Sequence, residues 1–270
     1  MTAAPSDPQT ERNPHLTIRG AVAELFLNAP ERKNALPIAA WQRLPETIQE
    51  LQKESAVRIC IVRGAGGNSF CAGADISEFA TIRSTPEAAT RYDEINVAAF
   101  KALKALPIPA VAAIKGPCLG GGLGLALACD IRIAATSAFF GIPAAKLGLA
   151  YPPEALGDLL EAVSASNAKR LLFTGERLSA SKALQIGLIN EIVEEDQLDN
   201  HVNKLAETMC SNAPLSLKAA KQAVNYLVHS PDAADLSPML QNAQNCVDSW
   251  DYREGCQAFL EKRPPQFRGS

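Results

Sequence analysis

KGPCLGGGLGLALACD, Lys115 to Asp130, is the stretch on which the reading turns. It follows Ala110–Ile114 (AVAAI), a short apolar run with the character of a buried strand. Residues 120–128 (GGGLGLALA) then pass from glycines into a helix, so N–H groups of its first turn face outward with no side chain in the way. A second glycine-containing turn, GAGGNSFCAGADI (64–76), follows the strand-like Val57–Val62 and offers another N–H at Ala72-Gly73-Ala74. Two converging main-chain donors make an oxyanion hole, which stabilises negative charge developing on a carbonyl oxygen. The same glycines also fit plain close packing of helix on strand. Nucleotide binding is not supported. Neither turn contains GxxxxGK[ST], and GxGxxG fails because Leu125 stands where its last glycine is required.

Outward from these turns, strand-like and helix-like segments alternate, which predicts an α/β fold. Val22–Asn28, Val57–Val62, Ala110–Ile114, Ile131–Ala134 and Ala138–Gly141 read as strands. Pro37–Glu54 and Pro86–Leu106 read as amphipathic helices, the second stopped by Pro107 and Pro109. Beyond Glu154 the pattern is nearly all helix, with a strand at Leu188–Val193 and apolar helices at 214–228 and 234–247. The expected organisation is a loose tail (1–13), a core (14–200) and a C-terminal helical region (201–270).

Composition narrows the function classes. Of 270 residues, 26 are Lys or Arg and 29 Asp or Glu, so no basic surplus invites nucleic acid or an acidic membrane. The longest uncharged apolar run, Pro117 to Cys129, is too short to span a bilayer, which takes about 20 residues. The seven cysteines form no CxxC pair and are odd in number, which points to reduced thiols and a cytoplasmic setting. Cys118 and Cys129 read as buried. Three histidines, His15, His201 and His229, lie far apart without metal-ligand spacing, so no metal site is expected.

FCAGADI (70–76) and GPCLGGGLGLALACDIRIA (116–134) together resemble the crotonase, or enoyl-CoA hydratase/isomerase, superfamily. RKNAL (32–36), FGIPAAKLGL (140–149), LLFTGERLSASKALQIGLINEIV (171–193) and AFLEKRPPQF (258–267) extend the resemblance from about residue 15 to 268. It implies a spiral of strand-strand-helix turns with a C-terminal helical trimerisation region, assembled as a homotrimer or dimer of trimers. It also implies an acyl-CoA substrate and no cofactor apart from the coenzyme A that the substrate carries. The thioester carbonyl would sit between the N–H groups of Ala74 and Gly121, with Gly120 beside them. Arg32, Lys33 and Ala35, the backbone of Ala72, Asp75 and Ile76, and Ala144 would border the coenzyme A and acyl group. Phe259 and Lys262 match residues that reach a neighbouring subunit's nucleotide. Asp75 also reads as a helix cap.

Hydratases of this family deliver water with two glutamates, and at the matching positions this chain has Gly124 and Ala144. GLAY (148–151) and the tail DYREGCQAFLEKRPPQF (251–267) resemble methylmalonyl-CoA decarboxylase and its relatives, whose tyrosine at the position of Tyr151 bonds the substrate carboxylate. That group has histidine where Ala74 stands and glutamate where Gly124 stands. Losing carbon dioxide yields the enolate directly, so the expectation is decarboxylase-like lyase chemistry with Ala74, Gly121 and Tyr151 at the reacting centre. The alternatives are a hydratase or isomerase with a relocated acid, Glu154, and a non-catalytic acyl-CoA-binding subunit. Glu154 also fits a helix N-terminus, where its charge complements the dipole.

Overall fold

The computed structural model describes residues 12–229 and 235–270. Of the expected tail, residues 1–11 lie outside them, and Arg12 is anchored by Glu31 at 2.8 Å. A six-stranded sheet runs in the order β1 (His15–Arg19), β2 (Val22–Leu27), β3 (Ile59–Gly64), β4 (Ala110–Ile114), β6 (Ile131–Ala135) and β9 (Glu191–Val193), and a three-stranded sheet in the order β5 (Pro117–Leu119), β7 (Phe139–Gly141) and β8 (Leu178–Ser179). β1 and β2 form an antiparallel hairpin. β2, β3, β4, β6 and β9 are then successively parallel. In the smaller sheet, β5 pairs parallel with β7, which pairs antiparallel with β8.

Parallel strands are covered on both faces, and that is why β3 and β4 are apolar without alternation. On one face, α1 (Ile38–Gln52) buries Ala40, Trp41, Leu44, Ile48 and Leu51, a stripe at helical spacing. It packs with α3 (Pro86–Lys104), capped by Thr85, and with α4 (Gly121–Leu127) over Ala23, Leu25, Val62 and Ala112. On the other face, Ile59, Ile61, Val111, Ala113 and Ile133 pack against Leu198, Val202 and Ala206 of α8 (Leu198–Cys210). The core therefore does not stop at residue 200, because α8 is needed to cover the second face. The strand at Leu188–Val193 shortens to β9, since Leu188 and Ile189 are core residues ahead of it.

A short helix, α2 (Phe79–Ile82), precedes α3. α5 (Pro153–Ala162), α6 (Ala165–Thr174) and α7 (Ala180–Gln185) follow the smaller sheet's first strands. The C-terminal region is helical: α9 (Pro214–His229), α10 (Ser237–Asp248) and α11 (Trp250–Glu261). The helix expected at 234–247 begins at Ser237, and residue 234 lies outside the described residues.

Candidate active site

Two loops meet at the C-terminal ends of β3 and β4. Residues 33–36 run beside 72–75: Leu36 N–H donates to Gly73 O (2.8 Å), and Asp75 N–H donates to Leu36 O (2.9 Å). This parallel bridge engages Gly73 and Asp75 and leaves the Ala74 N–H without a hydrogen bond among the described residues. Opposite, Cys71 N–H donates to Pro117 O and Leu119 N–H to Cys71 O, each at 3.0 Å. The chain turns at Gly120, and Gly121 opens α4 with its N–H likewise unengaged, as the first turn of a helix requires. Gly73 joins the two loops. Its φ is +97°, and a Cβ there would stand 2.8 Å from Leu119 O and 3.4 Å from Gly121 N. No side chain fits between the two donors' loops.

Asn34 fixes this arrangement. It is fully buried, its Oδ1 accepts from Ala29 N–H, and its Nδ2 donates to Ala65 O and Ser69 O (2.9, 3.0 and 2.8 Å). Asp75 caps as expected, accepting from Ser77 N–H at 3.1 Å, and it also takes the Arg32 guanidinium at 2.5 Å. Burial would raise the Asp75 pKa, but the bonds from Ser77 and then the charge of Arg32 outweigh it and hold it below its ordinary value. Arg32 thus ties the two loops together.

A cavity of about 110 Å³ lies under the two N–H groups. Ala72, Ala74, Ile76, Gly120, Gly121, Ala144 and Tyr151 all line it, so half of the expected site residues are brought together. Glu154 is not. It sits exposed in the first turn of α5 and borders a separate groove with Lys101 and Lys104. Lys33 and Ala35 belong to the adjoining loop, Lys33 through its carbonyl, which accepts from Ala72 N–H at 3.0 Å. Phe259, 83 % exposed, and Lys262 lie on and just after α11, away from this cavity. Asp130 is structural, bonding Ala110 N–H and Lys221 Nζ at 2.7 and 2.8 Å.

α3 forms a wall of the cavity with Tyr92, Asp93, Asn96 and Phe100, and sequence reasoning, which set the acidic Asp93 and Glu94 of this helix beside the pocket, missed Tyr92, Asn96 and Phe100. The signal was present: Tyr92, Asn96 and Phe100 recur every four residues on one stripe, with polar groups where an apolar face belongs. Tyr92 Oη, Asn96 Nδ2 and Tyr151 Oη are enclosed and make no hydrogen bond among the described residues. Burial pushes both phenols well above their ordinary pKa, so each is a neutral O–H at any working pH; Asn96, beside Tyr92, offsets part of that rise. Asp93 is committed to Arg83 through both oxygens, at 2.5 and 3.3 Å. Gly124 faces Phe100: a Cβ there would meet the ring at 2.6 to 3.0 Å. Trp41 stands edge-on to Phe100 (centroids 5.8 Å apart) and packs against Gly121.

Two unengaged main-chain donors beside a small pocket are the arrangement that can polarise a carbonyl without side-chain charge. The enoyl-CoA hydratase/isomerase family profile matches residues 17–270. The short-chain-enoyl-CoA hydratase of Clostridium acetobutylicum is 35 % identical over 90 % of this chain and 93 % of its own length. An enoyl-CoA hydratase/carnithine racemase from Magnetospirillum magneticum superimposes with a TM-score of 0.91 at 35 % identity, covering 95 % of this chain and 96 % of that one. A putative enoyl-CoA hydratase/isomerase family protein from Hyphomonas neptunium gives 0.92 at 34 %, covering 98 % and 100 %. The chain belongs to the enoyl-CoA hydratase/isomerase family and has the crotonase fold.

Proposed function

We propose that the protein is an acyl-CoA lyase that decarboxylates a malonyl-type thioester. The observation that carries this reading is the pairing of an open oxyanion hole with a pocket whose one lining carboxylate among the described residues, Asp93, is bound to Arg83. Gly124 and Ala144 stand where the resemblance places the hydratase glutamates, and Phe100 fills the space beside Gly124. Among the described residues, no free carboxylate is left there to activate water.

Decarboxylation needs none. The thioester oxygen accepts from the Ala74 and Gly121 N–H groups. The bond from the α-carbon to the carboxylate breaks, its electron pair enters the thioester enolate, and carbon dioxide leaves. The α-carbon then takes a proton from solvent, giving the shortened acyl-CoA. Tyr151 donates to the carboxylate and turns it out of the thioester plane, so that the breaking bond overlaps the carbonyl π-system. A neutral phenol suits this role, since it orients the charge without fixing it as a free cation does.

The names of relatives favour a second reading, hydration or isomerisation of an enoyl-CoA, with Glu154 as the relocated acid. Its exposed position in the separate groove counts against it. A panel of malonyl-, methylmalonyl-, crotonyl- and 3-enoyl-CoA followed by mass spectrometry separates the two. The expected result is carbon dioxide release from a carboxylated thioester, slowed by Tyr151→Phe and little changed by Glu154→Gln. Hydration of crotonyl-CoA abolished by Glu154→Gln would overturn the proposal, and binding without turnover would leave an acyl-CoA-binding subunit.

The assembly belongs to the same proposal. Val224, Leu227, Leu240, Phe259 and Leu260 on the C-terminal helices are each more than half exposed. Such a surface is expected to be covered by other copies of the chain, and a homotrimer or dimer of trimers does so while bringing Phe259 and Lys262 to a neighbour's site.

A further inference from the structure

The α3 wall carries more than a boundary. Tyr92 is 3 % and Asn96 8 % exposed, four residues apart on the stripe that lines the acyl cavity, and their polar atoms Oη and Nδ2 have no partner among the described residues. A helix that only had to close the pocket would carry apolar side chains at these two positions, because enclosed, unpaired polar groups destabilise the empty protein. Asn96 Nδ2 is a donor, and Tyr92 Oη both donates and accepts, with Asn96 beside it. A ligand that takes a bond from each offers two acceptors close together. Asp93 does not serve, because both its oxygens hold Arg83.

We propose that Tyr92 Oη and Asn96 Nδ2 form a carboxylate-reading subsite, one donor for each oxygen of an acyl carboxylate. The substrate class is a short 2-carboxyacyl thioester. A carboxylate brings two oxygens and a full negative charge, and a charged acceptor makes stronger bonds than the neutral oxygen of a ketone or hydroxyl group. Arg83 acts through Tyr92. Its guanidinium lies 5.1 Å from the Tyr92 ring centroid and 5.4 Å from that of Phe79, while Asp93 holds its charge in the wall. The pocket is therefore rich in donors but presents no unpaired cation among the described residues. Its volume, about 110 Å³, lies well above the roughly 10–15 Å³ that one water needs and suits a short acyl group. The inference rests on the decarboxylase reading only for placing the carboxylate next to the thioester.

The test uses two thioethers that lack the thioester carbonyl and cannot react: S-(2-carboxyethyl)-coenzyme A and S-propyl-coenzyme A. Calorimetric titration of the wild type is expected to show tighter binding of the carboxylated ligand. Tyr92→Phe and Asn96→Leu should each weaken that ligand on the order of 10- to 100-fold, the range for a hydrogen bond to a charged group, and leave S-propyl-coenzyme A within about two-fold. Tyr92→Phe removes a single oxygen and retains the ring packing, so its fold is kept; a melting temperature at or above wild type confirms that the hydroxyl has no structural task. Equal affinity of the wild type for both ligands, equal weakening of both in the variants, or unchanged carboxylate preference would each overturn the subsite. Carbon dioxide release from malonyl-CoA is measured separately. Release without carboxylate preference sinks this subsite and spares the decarboxylase reading, and preference without release does the reverse.

Discussion

Replacing Gly124 with alanine tests whether Phe100 occupies the space beside the glycine helix. The new Cβ would stand 2.6 Å from Phe100 Cζ and 2.9 and 3.0 Å from the two Cε atoms, distances that force the ring to move. The ring has little room to retreat, since it is 4 % exposed and meets the fully buried Trp41. Overpacking of this kind costs about 1–3 kcal/mol. Alanine in a helix interior returns about 1 kcal/mol relative to glycine. The net expectation is a loss of about 1 kcal/mol, or about 2–4 °C in melting temperature. In a Phe100→Leu background the clash is gone and the helix term remains, so the same Gly124→Ala change should stabilise by up to about 1 kcal/mol. The sign reverses, and the coupling between the two sites comes to about 2 kcal/mol. Thermal melting of the four proteins reads it out. If Gly124→Ala shifts the midpoint equally in both backgrounds, Phe100 does not guard that space, and the argument against a carboxylate at 124 fails.

Gly73→Ala forces a side chain against Leu119 O at a φ of +97°, so the two loops of the hole should part. Turnover should fall on the order of 100-fold, the scale of a lost oxyanion donor, with S-propyl-coenzyme A still bound; an unchanged rate would show that the hole tolerates their separation. Gly121 is a poorer probe, because any Cβ there meets Trp41 at 2.9 Å and disturbs its packing as well. Burial pushes the Cys60 and Cys71 thiols up to about 12, so they stay protonated below that pH. Alkylation at pH 8 should then label the exposed Cys256 first and spare Cys60, Cys71, Cys118 and Cys129 until the protein is unfolded; early labelling of Cys71 in folded protein would contradict its place between the loops. Sedimentation at micromolar concentration should give a trimer or hexamer, and a monomer would remove the role assigned to the C-terminal apolar surface.

The long elements were legible because each carries its own period. α1 and α3 announce themselves by apolar stripes and by prolines at their starts, and β4 appears with the bounds its run of five apolar residues suggests. β1, β5 and β8 were not foreseen. The last two span three and two residues and depend on pairing with β7 and, for β5, with Cys71 as well, which no local pattern encodes. The close approach of the two loops was legible for the opposite reason, since glycines on both mark places where main chain must come close. Asn34, the side chain that binds those loops, looked like any polar loop residue. Glu154 is three residues from Tyr151, but α5 begins between them and carries it to the surface, where its place in the first turn fits the helix-start reading. Tyr92 and Asn96 stayed hidden because polar residues on an amphipathic helix look like its wet side until the fold shows which side is wet.

The Ala74 and Gly121 donors are main-chain groups, held by main-chain bonds through Cys71, Pro117, Leu119 and Leu36. Their placement owes little to the side chains around the acyl pocket. Substitution on α3, or between Ile142 and Tyr151, is therefore expected to reshape the pocket while the two donors keep their places.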